Sequence, residues 1–177
     1  MDVKVNNRKL SSTEPKIRQK ALENLQTHIL ALSPVEYKKV AYGLFYYYWH
    51  SDGYQNQEED ADAIANLLDG LTNKKFILLA KALFLGLRRL WAKIDYHRTA
   101  KYLSLLNVLL KKVYAVLKSK NKVRLYELWN DFLFESILME DKGELTSQGD
   151  RLSDSVCVQR DLLRVQGKQH KGLSGFL

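Results

Sequence analysis

Residues 45 to 49 read Phe-Tyr-Tyr-Tyr-Trp. Five adjacent aromatic side chains cannot share one side of a helix, because each residue advances about 100° around the axis. Phe45 and Trp49 fall on one side and Leu44 pairs with Tyr48, while Tyr46 and Tyr47 point elsewhere. A helix of this kind has to be covered on more than one side. It is therefore expected at the centre of a stack of helices. The chain then crosses a polar turn, Ser51-Asp52-Gly53, and enters a new helix whose first turn is expected to hold Glu58, Glu59 and Asp60. Acids there would complement the positive end of the helix dipole.

The rest of the chain agrees with a helical fold. Only 2 prolines and 9 glycines interrupt 177 residues, and the long segments between breakers disfavour a β architecture. Residues 1–12 read as a polar arm. Ser12 or Thr13 can cap a first helix with Pro15 in its opening turn, and Ile17, Ala21, Leu25 and Ile29 form its apolar stripe. Ser33-Pro34-Val35-Glu36 spells a capping box, so a second helix follows at once and folds back on the first. A third helix is expected from about Asn56 to Leu71. A fourth, capped by Thr72 or Asn73, runs to Trp91; a fifth, capped by Asp95, to about Lys118; a sixth to about Met139. Leu152 to Gln166 reads as a weaker seventh. Pairs beginning near 14, 56 and 95 recur at about 40 residues, the period of HEAT and armadillo repeats. The expected fold is all-α: stacked antiparallel helix pairs in a short HEAT/armadillo-like superhelix, with a compact helical bundle as the alternative. Residues 13–140 would form the repeat domain, and 141–177 a weakly helical segment and tail.

Charge is distributed in blocks. Between Lys74 and Arg124 stand 14 basic residues against one acid, Asp95. Acids dominate on either side, from Ser51 to Leu71 and from Leu125 to Ser147. Solvated helix faces normally mix both signs. A block of one sign repels itself unless a polyanion relieves it, so the middle third is expected to face phosphates. Its candidates are Lys74, Lys75, Lys81, Arg88, Arg89, Lys93, Arg98, Lys101, Lys111, Lys112, Lys118, Lys120, Lys122 and Arg124. On the fourth helix Leu78 and Leu85 lie among these cations. They suit either a neighbouring helix of the stack or, with Gln57, Glu58 and Glu59, a partner protein.

Catalytic chemistry finds no footing. His28, His50, His97 and His170 are scattered without metal-ligand spacing, and the glycines form no phosphate-cradling loop. No catalytic residue, metal, cofactor, small-molecule substrate or membrane span is expected. The lone Cys157 and the absence of a signal-like N-terminus point to a soluble intracellular protein. Tyr46, Tyr47 and Tyr54 could stack on bases, but aromatics on a helix more often belong to the core.

Three segments carry a family resemblance. Gly-Leu-Phe-Tyr at 43–46 with Trp49, Ser51-Asp52 and Gln57-Glu58-Glu59 resembles the signature of the nucleolar ribosomal RNA processing protein 1 family. Lys16-Ile-Arg18-Gln-Lys20-Ala21-Leu22 is similar to its opening helix, and Trp91, Ile94-Asp95, Arg98 and Lys101 to its W-x-x-I-D-x-x-R-x-x-K pattern. Ala100 replaces an acid of that pattern, and the usual Lys-Pro after Ser51-Asp52 is missing. The likeness covers about residues 13–110, with no further match past Met139. It implies a non-enzymatic, all-helical ribosome biogenesis factor of the nucleus and nucleolus. Such a factor would scaffold the large-subunit precursor and support processing of the internal spacer. Its partners would be pre-rRNA, other assembly factors and ribosomal proteins. The rival expectation is a protein-only helical adaptor that docks acidic partner proteins.

Overall fold

In the computed structural model, residues 1–138 are described, and they contain helices joined by turns, with no strand among them. The elements are α1 (Val3–Leu10), α2 (Pro15–His28), α3 (Pro34–Trp49), α4 (Tyr54–Asn66), α5 (Asn73–Leu90), α6 (Tyr96–Lys120) and α7 (Val123–Leu133), followed by a π-helical turn at Phe134–Leu138. Among these residues no helix is long and apolar enough to cross a membrane. The expected helix from Leu152 to Gln166 and the segment 141–177 lie outside the described residues.

Local signals set several of the boundaries. Ser33 and Glu36 form the reciprocal capping box, with Pro34 at the first helical position of α3. Thr72 caps α5 through Lys75 N–H, and Asp95 caps α6 through Arg98 N–H. Asn121, at φ 46° and ψ 43°, closes α6 in the left-handed conformation, and its N–H bonds to the carbonyls of Leu117 and Lys118. α2 starts differently: Glu14 holds the cap position without a side-chain bond, so neither Ser12 nor Thr13 caps it.

Two expectations are corrected. Residues 1–12 are not a loose arm, because Asp2 caps α1 and buries Val3, Asn6 and Leu10 against the rest. Asn6 Nδ2 donates to Ala21 O (3.1 Å), so a polar residue occupies an inner position that hydrophobic periodicity would overlook. α4 begins at Tyr54 after Gly53 (φ 84°), two residues earlier than expected. Glu58, Glu59 and Asp60 therefore sit beyond its first turn, outside the reach of most of the dipole.

Helices lie beside those two steps away in sequence: α1 beside α3, α3 beside α5, α5 beside α7, and α4 beside α6. A stack of hairpins produces this order, with one helix of each pair in each layer. Arg18, early in α2, donates to His50 O past the end of α3, while Tyr37, early in α3, donates to Ile29 O past the end of α2. That crossing of ends makes the first pair antiparallel. α3 and α5 pack closely at Gly86, where a Cβ would stand 3.1 Å from Ala41 Cβ. The aromatic α3 is covered from several sides, with Tyr37, Phe45, Tyr47 and Tyr48 all buried.

Candidate nucleic-acid interface

The three sequence segments of the resemblance meet at the C-terminal end of α3. A helix end leaves carbonyls without intrahelical donors and carries partial negative charge. Two buried cations satisfy them. Arg18 donates to His50 O at 3.0 Å, and Lys101 Nζ donates to Trp49 O at 3.0 Å and Ser51 O at 2.7 Å. Arg18 also bonds the carbonyls of Ser12 and Thr13, which fixes the chain ahead of α2. Arg98 pairs with Asp95 and lies over the Trp49 ring, its Cζ 4.4 Å from the centroid. Tyr48 donates to Lys101 O, Tyr102 to Phe45 O, and the Phe45 and Tyr102 rings stack at 4.8 Å.

Burial acts on these groups in predictable directions. It pushes the Lys101 ammonium below its ordinary value, with Asp52 partly opposing. Burial raises the hydroxyls of Tyr47, Tyr48 and Tyr102 above the usual phenol range. Tyr47 donates to Asp60 Oδ1, so Asp60 serves the aromatic helix rather than the α4 dipole. His50 is held low by burial and by the nearby Arg18.

The fourteen expected phosphate contacts divide in two. Lys101 is 8% exposed and faces inward, so it leaves the set. Arg98 is committed to Asp95 and Trp49. Lys75 bonds Leu30 O, Lys112 bonds Asp69 (2.5 Å) and Asn66 (2.9 Å), Lys120 bonds Leu71 O (2.9 Å), and Lys81 lies 5.1 Å from the Phe132 ring centroid. These chains tie layers together and are half-buried. Lys74, Arg89, Lys93, Lys111, Lys118, Lys122 and Arg124 are exposed; Arg88 is half-buried and has an interaction of its own.

Four of the exposed cations gather at one corner. Lys111 and Lys118 are two turns apart on the solvent side of α6, about 10 Å along the axis. Lys122 and Arg124 follow across the Asn121 turn. The corner is firmly built: Leu117, Leu125 and Trp129 are buried beneath it, and Tyr114 donates to Asn130 Oδ1 of α7 at 2.9 Å. Lys118 also sits in the last turn of α6, where a cation is favoured by the dipole alone.

The expected protein-facing residues fare unevenly. Leu78 and Leu85 are half-buried against the core on α5, the helix that α7 and the following turn flank. Gln57 is half-buried and Nε2 donates to Ser51 O at 3.4 Å, whereas Glu58 and Glu59 are exposed. Of the three tyrosines weighed as stacking surfaces, Tyr47 is buried, Tyr54 is exposed, and Tyr46 borders an open cleft of about 560 Å³ between α1 and α3. Lys4, Arg8, Lys39 and Tyr42 also line it. Sequence reasoning missed Lys4 and Arg8 because it treated residues 1–12 as an arm, and without them Lys39 and Tyr42 had nothing to face. Asp2 as an N-cap, with Lys4 and Arg8 four apart behind it, was the available signal.

Comparison with known proteins shows the family. A family model described as "Nucleolar protein, Nop52" matches residues 4–153, which extends the likeness beyond 13–110 at both ends. Over 119 residues the chain is 32% identical to "Ribosomal RNA processing protein 1 homolog B" of Homo sapiens, covering 62% of this chain and 16% of that protein. The chain thus spans about a sixth of its relative's length. With the family match running from α1 through every described helix, the chain belongs to the Nop52 family of nucleolar proteins.

Proposed function

We propose that this chain is a non-catalytic ribosome biogenesis factor, a rigid helical scaffold on the precursor of the large ribosomal subunit that supports processing of the pre-rRNA internal spacer. The α6–α7 corner is the observation that carries the reading: Lys111, Lys118, Lys122 and Arg124 are exposed, and none is ion-paired to another described residue. Lys74 at the start of α5 and Arg89 and Lys93 at its far end are further exposed cations. Contacts of this kind position RNA without reading its sequence. Family membership and the printed name of the human relative, a ribosomal RNA processing protein, supply the setting. Glu58 and Glu59 would face neighbouring assembly proteins.

Titration of a structured RNA at several salt concentrations tests the reading. Affinity should fall steeply with salt, and replacing Lys111, Lys118, Lys122 and Arg124 by Gln should lower the log–log slope by roughly 3. Failure to bind RNA at low salt would favour a protein-only adaptor that docks acidic partner proteins. Pre-rRNA and large-subunit assembly proteins should co-purify with the chain from cells.

A further inference from the structure

We propose that the cleft between α1 and α3 binds an unpaired stretch of RNA, separately from the α6–α7 corner. Lys4 and Arg8 stand one turn apart on α1, and Lys39 faces them from α3. Among the described residues no acid lines the cleft, and none of the three cations is ion-paired. The apolar surface is aromatic: Tyr42 and Tyr46, four apart on α3 and about 6 Å along its axis, are half-buried. Tyr46 is braced edge-on by Phe45, with ring centroids 5.2 Å apart. Among the described residues no aliphatic side chain lines the cleft. A docking peptide helix seats several aliphatic or aromatic side chains in a broad apolar groove, whereas among the described residues the apolar side chains here are two tyrosines set between three cations. Cations beside ring faces are what single strands use: phosphates meet the charges and bases lie on the rings, with little regard for sequence.

The walls are held at a set separation. Asn7 Nδ2 donates to Lys39 O at 2.7 Å, and its carboxamide fills the space where a Cβ on Gly43 would come within 2.5 Å of Asn7 Oδ1. Asn7 Oδ1 is buried and has no donor. The cleft is therefore preformed, which lowers the ordering cost of binding. The inference rests on the proposed function only in choosing RNA over DNA.

The test uses the full chain and a labelled octauridylate. Ultraviolet crosslinks should map to Tyr42 or Tyr46. Tyr46→Leu should weaken binding about 10-fold while Tyr46→Phe keeps it, since stacking needs a ring. Lys4→Gln, Arg8→Gln and Lys39→Gln together should lower the salt slope by about 2. The Gln variants at Lys111, Lys118, Lys122 and Arg124 should leave the crosslink in place. Thermal melts of each variant separate lost binding from lost folding, and Tyr46→Phe keeps the fold while preserving the ring. Crosslinks elsewhere, or undiminished binding by a folded Tyr46→Leu, would overturn the inference. So would competition by a polyglutamate peptide that depends on the same residues, which would assign the cleft to an acidic protein. Loss of the cleft alone would leave the α6–α7 corner standing, and the reverse also holds.

Discussion

The two halves of α6 carry the same kind of side chain for opposite ends. Near its start, Arg98 and Lys101 turn inward, one over Trp49 and the other onto the last carbonyls of α3. Near its end, Lys111 and Lys118 turn outward, and Lys122 and Arg124 continue the exposed group into α7. Charge counted along the chain merges them into one block. The difference lies in what stands opposite. The start of α6 abuts a helix end rich in unpaired carbonyls; in the later half Asp69 and Asn66 claim Lys112 and Leu71 O claims Lys120, while Lys111 and Lys118 face no acceptor among the described residues. A basic residue is thus structural where acceptors await it and available where they do not.

The comparison breaks most readily at Lys101. Lys101→Met should cost about 3 kcal/mol in denaturant unfolding, because it strips the donor from two carbonyls at the end of α3. Any effect on RNA affinity should follow the fraction folded. A variant as stable as the parent with weakened RNA binding would mean that Lys101 belongs with the outward group.

The inward cluster should also fail at alkaline pH. Tyr47, Tyr48 and Tyr102 have folded-state values raised, burial being the main cause, above an ordinary value of 10.0. Their contribution is complete below that value and is lost as pH climbs past it, since the unfolded chain releases those protons first. Lys101 acts in the other direction: its lowered value adds stability as pH rises toward 10.5, and nothing beyond. Unfolding free energy should therefore hold or rise slightly up to about pH 10 and fall above it. Urea titrations across that range would show it, and Tyr102→Phe should blunt the fall. A smaller effect, about 1 kcal/mol, is expected for Arg98→Ala, which removes a partly exposed cation–π contact and an ion pair that solvent already screens.

What was legible in the sequence was whatever rests on local chemistry. The Ser33–Glu36 box and the Asp95 cap announce their helices within four residues, and the run from Phe45 to Trp49 requires a covered helix by geometry alone. The rhythm of helices pointed to an all-α fold, and the structure bears that class out, with α1 beside α3, α3 beside α5 and α4 beside α6. α1 escaped notice because its inner positions include Asn6, held by a hydrogen bond to Ala21 O that no periodicity reports. Lys101 was misassigned for the same reason: its acceptors, Trp49 O and Ser51 O, lie about fifty residues away in the chain. Asp95, Arg98 and Lys101, spaced by three, did hint that one side of α6 faces something specific. The acids of α4 were misread because Gly53, at positive φ, starts that helix earlier than the polar turn implied.

The smallest expected effect sharpens the comparison from its other side. Replacing Lys111, Lys118, Lys122 and Arg124 by Gln should change unfolding free energy by no more than about 0.5 kcal/mol, the usual range for exposed positions without partners. Two influences oppose each other here. Removing Lys118 gives up a favourable charge at the negative end of α6, a few tenths of a kcal/mol, while removing four like charges relieves repulsion by a similar amount. Near-cancellation is the signature of cations that fold did not need. If the quadruple variant instead lost several kcal/mol, the corner would be part of the structure, and its exposure could no longer stand for availability to RNA.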